Sequence, residues 1–406
     1  MSGPDVVITH VAGGAGGPAV VYAAARALAA ACDLAGDELR ACGTADLRTA
    51  AEPDLASSAP LSPPTFAAAE LALAVATGGP DGALTASVRW EETAVLVREA
   101  VGLLEAGDQE VRSWLQRLDA AVVEHAVGIT RPPGNAGLLA LLYGSDGHPV
   151  VRPTDDRVPG STTAPRELDD LVGHLQQVAA LSDGPESPHN GTIAVQTLAD
   201  GTGPPRHIVY LPGTDDIATL PWRQDDDVRD LGTDLRTMGG QPTSYQRGVL
   251  AAMADAGIGR RDPVLLVGHS LGGMTAAAIL SQGSRFHVTH VVTAGSPTAQ
   301  VAGFPAGTHV LSLEHEGDVV PLVDGAPNAA SVEQVTVTFA DHGGADGVVG
   351  EHDYWHYLNG AAAVDASGDP AVVEQLRSLR DAGFLAGDGP LPASVSSQVF
   401  QVVRAP

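Results

Sequence analysis

Ser270 stands between glycines at 268 and 272 in the run PVLLVGHSLGGMTAAAIL, residues 263–280. The spacing G-x-S-x-G suits a nucleophile carried on a sharp strand-to-helix turn, because larger side chains at the flanking positions would block the turn. The helix that follows offers free N–H groups and partial positive charge where an oxyanion would develop. A serine hydroxyl attacks a carbonyl only when a histidine takes its proton and a carboxylate orients that histidine. The expected chemistry is acyl transfer, and the residues downstream must supply the acid and the base.

Asp318 is the best-placed acid, in the loop EGDVVP just past the strand-like THVLSLEH. Glu314, Glu316 and Asp324 compete with it, Glu314 from within the strand and Asp324 from beyond Pro321. The stretch ADHGGADGVVGEHDYWHYLNG then offers His342, His352 and His356. His352 precedes an apparent helix that Tyr and Trp could dock, which is where a base folding back over the serine should sit. His356 lies one turn further on and reads as a packing or surface residue. For the oxyanion, HIVYLPGTDD places Gly213 and Thr214 after a strand, so that one of their N–H groups can face the site. The N–H of Leu271 is the second expected donor.

The segments IVYLPGTDD, VLLVGHSLGG, VVTAGSP, LEHEGDVVP and HDYW resemble the α/β-hydrolase superfamily, in particular serine lipase/esterase-like proteins of high-GC bacteria. The resemblance spans about residues 190–365. It implies a triad of Ser270, Asp318 and His352 and an oxyanion hole of Gly213 or Thr214 with Leu271. The chain departs from many esterases in having PGT where they carry HGGG. The implied activity is hydrolysis of an ester or related acyl bond in a small-molecule or lipid-like substrate, with thioesterase and acyltransferase chemistry open to the same triad. A non-catalytic helical interaction protein built on an inactive hydrolase-like domain is the alternative.

Apolar strands alternating with helices must position these residues, which calls for an α/β fold with a mostly parallel sheet covered on both faces. The expected organisation is an α-helical N-terminal region over 1–150, a linker or peripheral segment over 151–188 with one possible helix, PRELDDLVGHLQQVAALSD, the catalytic domain over 189–390 and a tail over 391–406. Helical composition marks the first of these, including QEVRSWLQRLDAAVVEH, and RPPGN at Arg131 to Asn135 closes it. Ser62 before Pro63 and Pro64 starts one of its helices, and Gly78 and Gly79 end it. The region is faintly similar to helical modules of type VII-secretion-associated proteins, without their W-x-G turn, and is where a protein partner would be engaged. The polar segment from Asp215 to Gln241 reads as a mobile cover beside the site.

The 406-residue chain carries a formal charge of -27 from 49 acidic and 22 basic residues, and every basic residue is Arg. That balance repels phosphate backbones and anionic membranes, so no nucleic-acid partner is expected. Two cysteines, Cys32 and Cys42, are too few for a disulfide framework or a structural zinc site. No signal peptide and no membrane span are recognisable, so the chain reads as cytoplasmic or exported without a cleaved signal. Gly14 to Ala19 matches G-x-G-x-x-A, but the chain continues helical and a hinge is expected rather than a nucleotide site. His352 to His356 imitates a zinc-protease helix with Asp in place of the general-base Glu, so neither metal nor cofactor is expected. Asp225, Asp226 and Asp227 read as a solvated loop.

Overall fold

The computed structural model describes residues 6–14, 18–79, 82–95, 97–98, 136, 140–182, 184, 187–201, 203–217, 219, 221, 224–324, 326–341 and 350–405. The expected helix over 109–125, the breaker at 131–135, Ala15 to Gly17 of the glycine stretch and His342 lie outside these residues. The chain divides into two compact units, Ala19–Leu115 and Met1–Pro18 with Gln116–Pro406.

In the first unit run helices α1 (Pro18–Ala50), α2 (Pro53–Ser58) and α3 (Pro63–Gly78), followed by α4 over 83–95. Ser62 is the N-cap residue of α3 with Pro in its first turn, where the missing N–H costs nothing. Ala29, Cys32 and Ala94 form a small buried cluster, and Arg40 pairs with Glu91 across the same helices. Cys32 is buried, Cys42 is exposed, and both are free thiols.

The second unit is built on a nine-stranded mixed sheet in the order β1-β8-β7-β6-β5-β4-β3-β9-β2. Its centre is parallel: β4 (Arg206–Leu211), β5 (Pro263–His269), β6 (His287–Ala294), β7 (His309–His315) and β8 (Gln334–Ala340). The flanks are antiparallel: β1 (Val7–Gly13) beside β8, and β3 (Thr192–Ala199), β9 (Ser394–Ala405) and β2 (His148–Thr154) beyond β4. The central strands are near-continuous apolar runs because both faces are covered. Ile208, Tyr210, Leu265 and Val267 face a core closed by α5 (Leu168–Ala179), α9 (Tyr354–Asp365) and α10 (Pro370–Asp381). Val209, Leu211, Val264 and Leu266 face the other core, under α7 (Ser244–Asp255) and α8 (Leu271–Gln282). α6 (Leu231–Met238) lies between β4 and α7 in the chain.

Three boundaries differ from the sequence expectation. Residues 1–150 are not helical throughout, since they supply edge strand β1 and the start of β2. Residues 151–188 are not a linker, because α5 buries Leu168, Leu171, Val172, Leu175 and Val178 against the sheet, the helical i, i+3, i+4, i+7 stripe of a core-facing helix. Residues 391–406 are not a tail: β9 lies inside the sheet between β3 and β2, with Phe400 and Val402 buried. The sheet is parallel only over its central five strands, because β1 on one side and β3, β9 and β2 on the other all pair antiparallel.

Candidate active site

Ser270 occupies the turn between β5 and α8 with φ 50° and ψ −121°. It is the one non-glycine residue with positive φ among the described residues. Holding a serine there costs about 1–3 kcal/mol, which the surrounding packing must offset. The glycines around it are dictated by close approach. A Cβ on Gly268 would collide with the backbone of Gly272 and Gly273, and one on Gly272 with the Leu211 carbonyl oxygen. The Ser270 N–H donates to the Ala294 carbonyl at 3.0 Å, which ties the turn to β6, and its carbonyl accepts from Gly273 and Met274. Leu271, the first residue of α8, is one of the helix-start amides with no intrahelical acceptor.

The structure brings Asp318 and His352 together: Asp318 Oδ2 lies 2.6 Å from His352 Nδ1. The Asp318 carboxylate is buried and fully engaged, with Tyr357 Oη donating to Oδ2 at 2.5 Å and the Val320 N–H donating to Oδ1 at 2.9 Å. Burial holds the Tyr357 hydroxyl far above its ordinary pKa, followed by the Asp318 charge, so it remains a donor. With Nδ1 committed to the carboxylate, the Nε2 of neutral His352 is the ring's acceptor. The competing acids are elsewhere. Glu314 accepts from Asn328 Nδ2 at 2.7 Å, Asp324 accepts from the Ala299 N–H at 2.8 Å, and Glu316 is exposed. His356 sits within α9 with Nδ1 2.7 Å from Asp341, so His352 and His356 serve different carboxylates.

His269, next to the serine, joins these pieces. Its Nε2 lies 3.0 Å from the His352 carbonyl oxygen, which can only accept, so Nε2 carries the proton. Its ring packs 4.4 Å from that of His352 and 4.1 Å from that of Tyr354. Burial, then the neighbouring His352, holds its pKa well below the ordinary value, and the ring is neutral.

On the β4 side, a Cβ at Gly213 would fall 3.1 Å from Ser270 Cβ and 3.0 Å from His269 Nδ1, so the PGT turn lies against the serine. The expectation that the Gly213 N–H points freely into the site is corrected: it donates to Tyr354 Oη at 3.2 Å. The Thr214 hydroxyl donates to Asp234 at 2.9 Å and 3.1 Å. Burial raises the Asp234 pKa to about 8, the nearby Asp230 and Asp227 charges adding to it against the Thr214 hydrogen bond.

The segment 215–241 is not the loose polar cover expected of it. Arg229 is fully buried and pairs with Asp215 at 2.7 Å, Arg404 of β9 pairs with Asp230 at 2.9 Å, and α6 carries Asp234 beneath Thr214. Asp215, Arg229, Asp230 and Asp234 are bound inside the protein, so a low apolar content does not mean exposure. Asp227 likewise departs from a solvated loop: it is buried, accepts from the Arg229 N–H, and burial raises its pKa to about 7. Asp225 and Asp226 are exposed. A cavity of about 360 Å³ lies beside α8, with Met238, Met274, Ala278 and Val301 together with Gln241 and Asp324 in its lining. Met274 is one turn along the helix from Ser270.

His269, Tyr354, Tyr357 and Asp234, which no motif in the sequence marks, complete the arrangement. Only the aromatic content of DYWHY hinted at two of them. No helix among the described residues is long and apolar enough to cross a membrane. In comparisons with known proteins, no family model, no curated protein and no solved structure matches the chain.

Proposed function

We propose that the protein is a serine hydrolase of α/β-hydrolase type that cleaves a carboxylic ester or related acyl bond. The observation that carries this reading is the strained Ser270 turn, whose neighbour His269 packs 4.4 Å from the ring of His352, with that imidazole 2.6 Å from the buried Asp318 carboxylate. Ser270 Oγ attacks the acyl carbon as His352 Nε2 takes its proton; Asp318 holds the imidazole and stabilises the imidazolium. The amide of Leu271 at the start of α8 and that of Thr214, the one N–H of the PGT turn not given to Tyr354, stabilise the oxyanion. The imidazolium then protonates the leaving alkoxide, and water resolves the acyl-enzyme by the same route. The cavity beside Met274, mostly apolar in its lining and within the size range of small-molecule pockets, suits the acyl part of a lipid-like substrate.

Labelling with a fluorophosphonate probe, followed by turnover of an acyl-ester chain-length series, tests this. The expected result is covalent labelling of the full chain that Ser270→Ala abolishes, with a loss of activity on the order of 10⁴-fold or more. Wild-type-like turnover in Ser270→Ala would remove the serine from the mechanism.

A further inference from the structure

We infer that His315, Asp341 and His356 form a binding site for a divalent transition-metal ion of the zinc class, distinct from the Ser270 turn. The three come from separate elements: His315 ends β7, Asp341 follows β8, and His356 lies in the first turn of α9. Each offers one ligand atom, and the three atoms lie within 4.8 Å of one another. Asp341 Oδ1 is 2.7 Å from His356 Nδ1 and 3.2 Å from His315 Nε2. All three side chains are buried, so the site is shielded from competing solvent.

Two features go beyond a hydrogen-bonded cluster. First, His315 Nε2 is buried and makes no hydrogen bond, although it lies 3.2 Å from Asp341 Oδ1. A buried ring nitrogen without a well-aligned hydrogen bond costs up to about 1–3 kcal/mol, and an ion between the three atoms would engage it. Second, the opposite edges of both rings face one carboxylate: Glu351 Oε2 is 3.2 Å from His315 Nδ1 and 3.7 Å from His356 Nε2. Metal-bound imidazoles commonly donate their remaining N–H to a carboxylate, which fixes the tautomer. Asp341 has a comparable support, since Asn359 Nδ2 donates to its other oxygen at 3.3 Å.

Two imidazoles and one carboxylate suit zinc and its neighbours rather than calcium or magnesium, which prefer all-oxygen shells. Metal–ligand bonds of about 2.0–2.1 Å set the ligand atoms about 3.4 Å apart in a tetrahedron, so on binding Asp341 Oδ1 would draw back from His356 Nδ1 and the stacked rings, 4.6 Å apart, would rotate to aim both nitrogens at the ion. On binding, the His315 proton would sit on Nδ1 facing Glu351, in exchange for the 3.3 Å contact that the Gly317 N–H makes there. The ion would brace the acid and base of the neighbouring site. The Asp318 N–H donates to the His315 carbonyl at 3.0 Å, and His352 directly follows Glu351.

Zinc chloride titrated into chelator-stripped, desalted full-length protein tests this by calorimetry and by thermal melting. One equivalent taken up with a raised melting temperature is expected, and cobalt(II) in its place should show the visible absorption of a tetrahedral nitrogen/oxygen site. Asp341→Asn and His356→Gln should abolish that uptake, and Glu351→Gln should weaken it by about 10- to 100-fold. Ser270→Ala should bind zinc like the wild type, which separates this site from the proposed hydrolase activity. No stoichiometric uptake by the wild type, or uptake unchanged in Asp341→Asn and Glu351→Gln, overturns the assignment. Should His356→Gln fail to fold, the half-exposed Glu351 position and the cobalt spectrum still decide the matter.

Discussion

His352 and His356 stand four residues apart, yet each answers to its own carboxylate, and single substitutions should separate them. His352→Ala removes the proposed base and should lower kcat/KM by orders of magnitude with little change in Tm. His356→Ala should keep most of its activity but melt lower, because it strips a partner from buried Asp341 at a cost of about 1–3 kcal/mol. Activity and melting measured on the same preparations check both; a dead, stable His356→Ala would move the base by one helical turn. Tyr357→Phe addresses the carboxylate. Its hydroxyl donates to the same Asp318 oxygen that holds His352. A hydrogen bond to a charged group contributes about 1.5–3 kcal/mol, so a fall in kcat of roughly ten- to a hundredfold is expected from pre-steady-state and steady-state assays. Turnover equal to wild type would show that His352 and the Val320 amide suffice to hold the carboxylate in place.

The Ser270 elbow is a local feature, legible because β5 is a short apolar run, α8 follows at once and the glycines can serve no bulkier residue. Gly272→Ala should therefore fail at the level of the element, since its Cβ would meet the Leu211 carbonyl of β4; Gly303→Ala, where nothing lies nearby, is the control. Soluble yield and Tm of the two variants make the comparison, and a Gly272→Ala protein as stable as the control would refute the close approach. α6 was harder to place from sequence, because its buried face carries Thr233, Asp234 and Arg236 rather than an apolar stripe. It also has a pH signature. Asp234 titrates near 8 in the folded chain against an ordinary 3.8, chiefly through burial, so the folded form binds this proton more tightly than the unfolded one. The resulting stability is fully present below pH 3.8 and is lost as pH rises through about 8. Asp227 at about 7 and Glu314 at about 8, both raised mainly by burial, act in the same direction. Tm should decline from pH 7 to pH 9, above the range in which the buried histidines change charge in either state, and Asp234→Asn, which keeps an acceptor for Thr214, should decline less steeply; parallel curves would place the titration elsewhere.

At the scale of the whole molecule, β9 closes what the central strands begin. It pairs with β3 on one side and β2 on the other, and its Arg404 meets Asp230 ahead of α6. Removal of residues 394–406 should leave a chain that does not fold cooperatively, with β2 detached and buried Asp230 unpaired; circular dichroism melting of the truncated protein checks this, and a sharp wild-type-like transition would contradict it. By itself the sequence determined the features whose causes are local: the parallel-strand runs, the capped helices, the glycine spacing about Ser270, and the order of serine, acid and histidine along the chain. Tertiary structure decided whatever depends on partners far away in sequence. Glu314, Asp318 and Asp324 are equivalent carboxylates until the fold gives Asn328 to the first, Tyr357 and His352 to the second, and the Ala299 amide to the third. Gly213 reads as a free donor until Tyr354, 141 residues away, takes its N–H. β2 and β9 look like a linker and a tail because strand pairing over such separations leaves only a short alternating pattern in the sequence, and the hydrogen bonds that define an edge or an interior strand exist only once the neighbouring strand is in place.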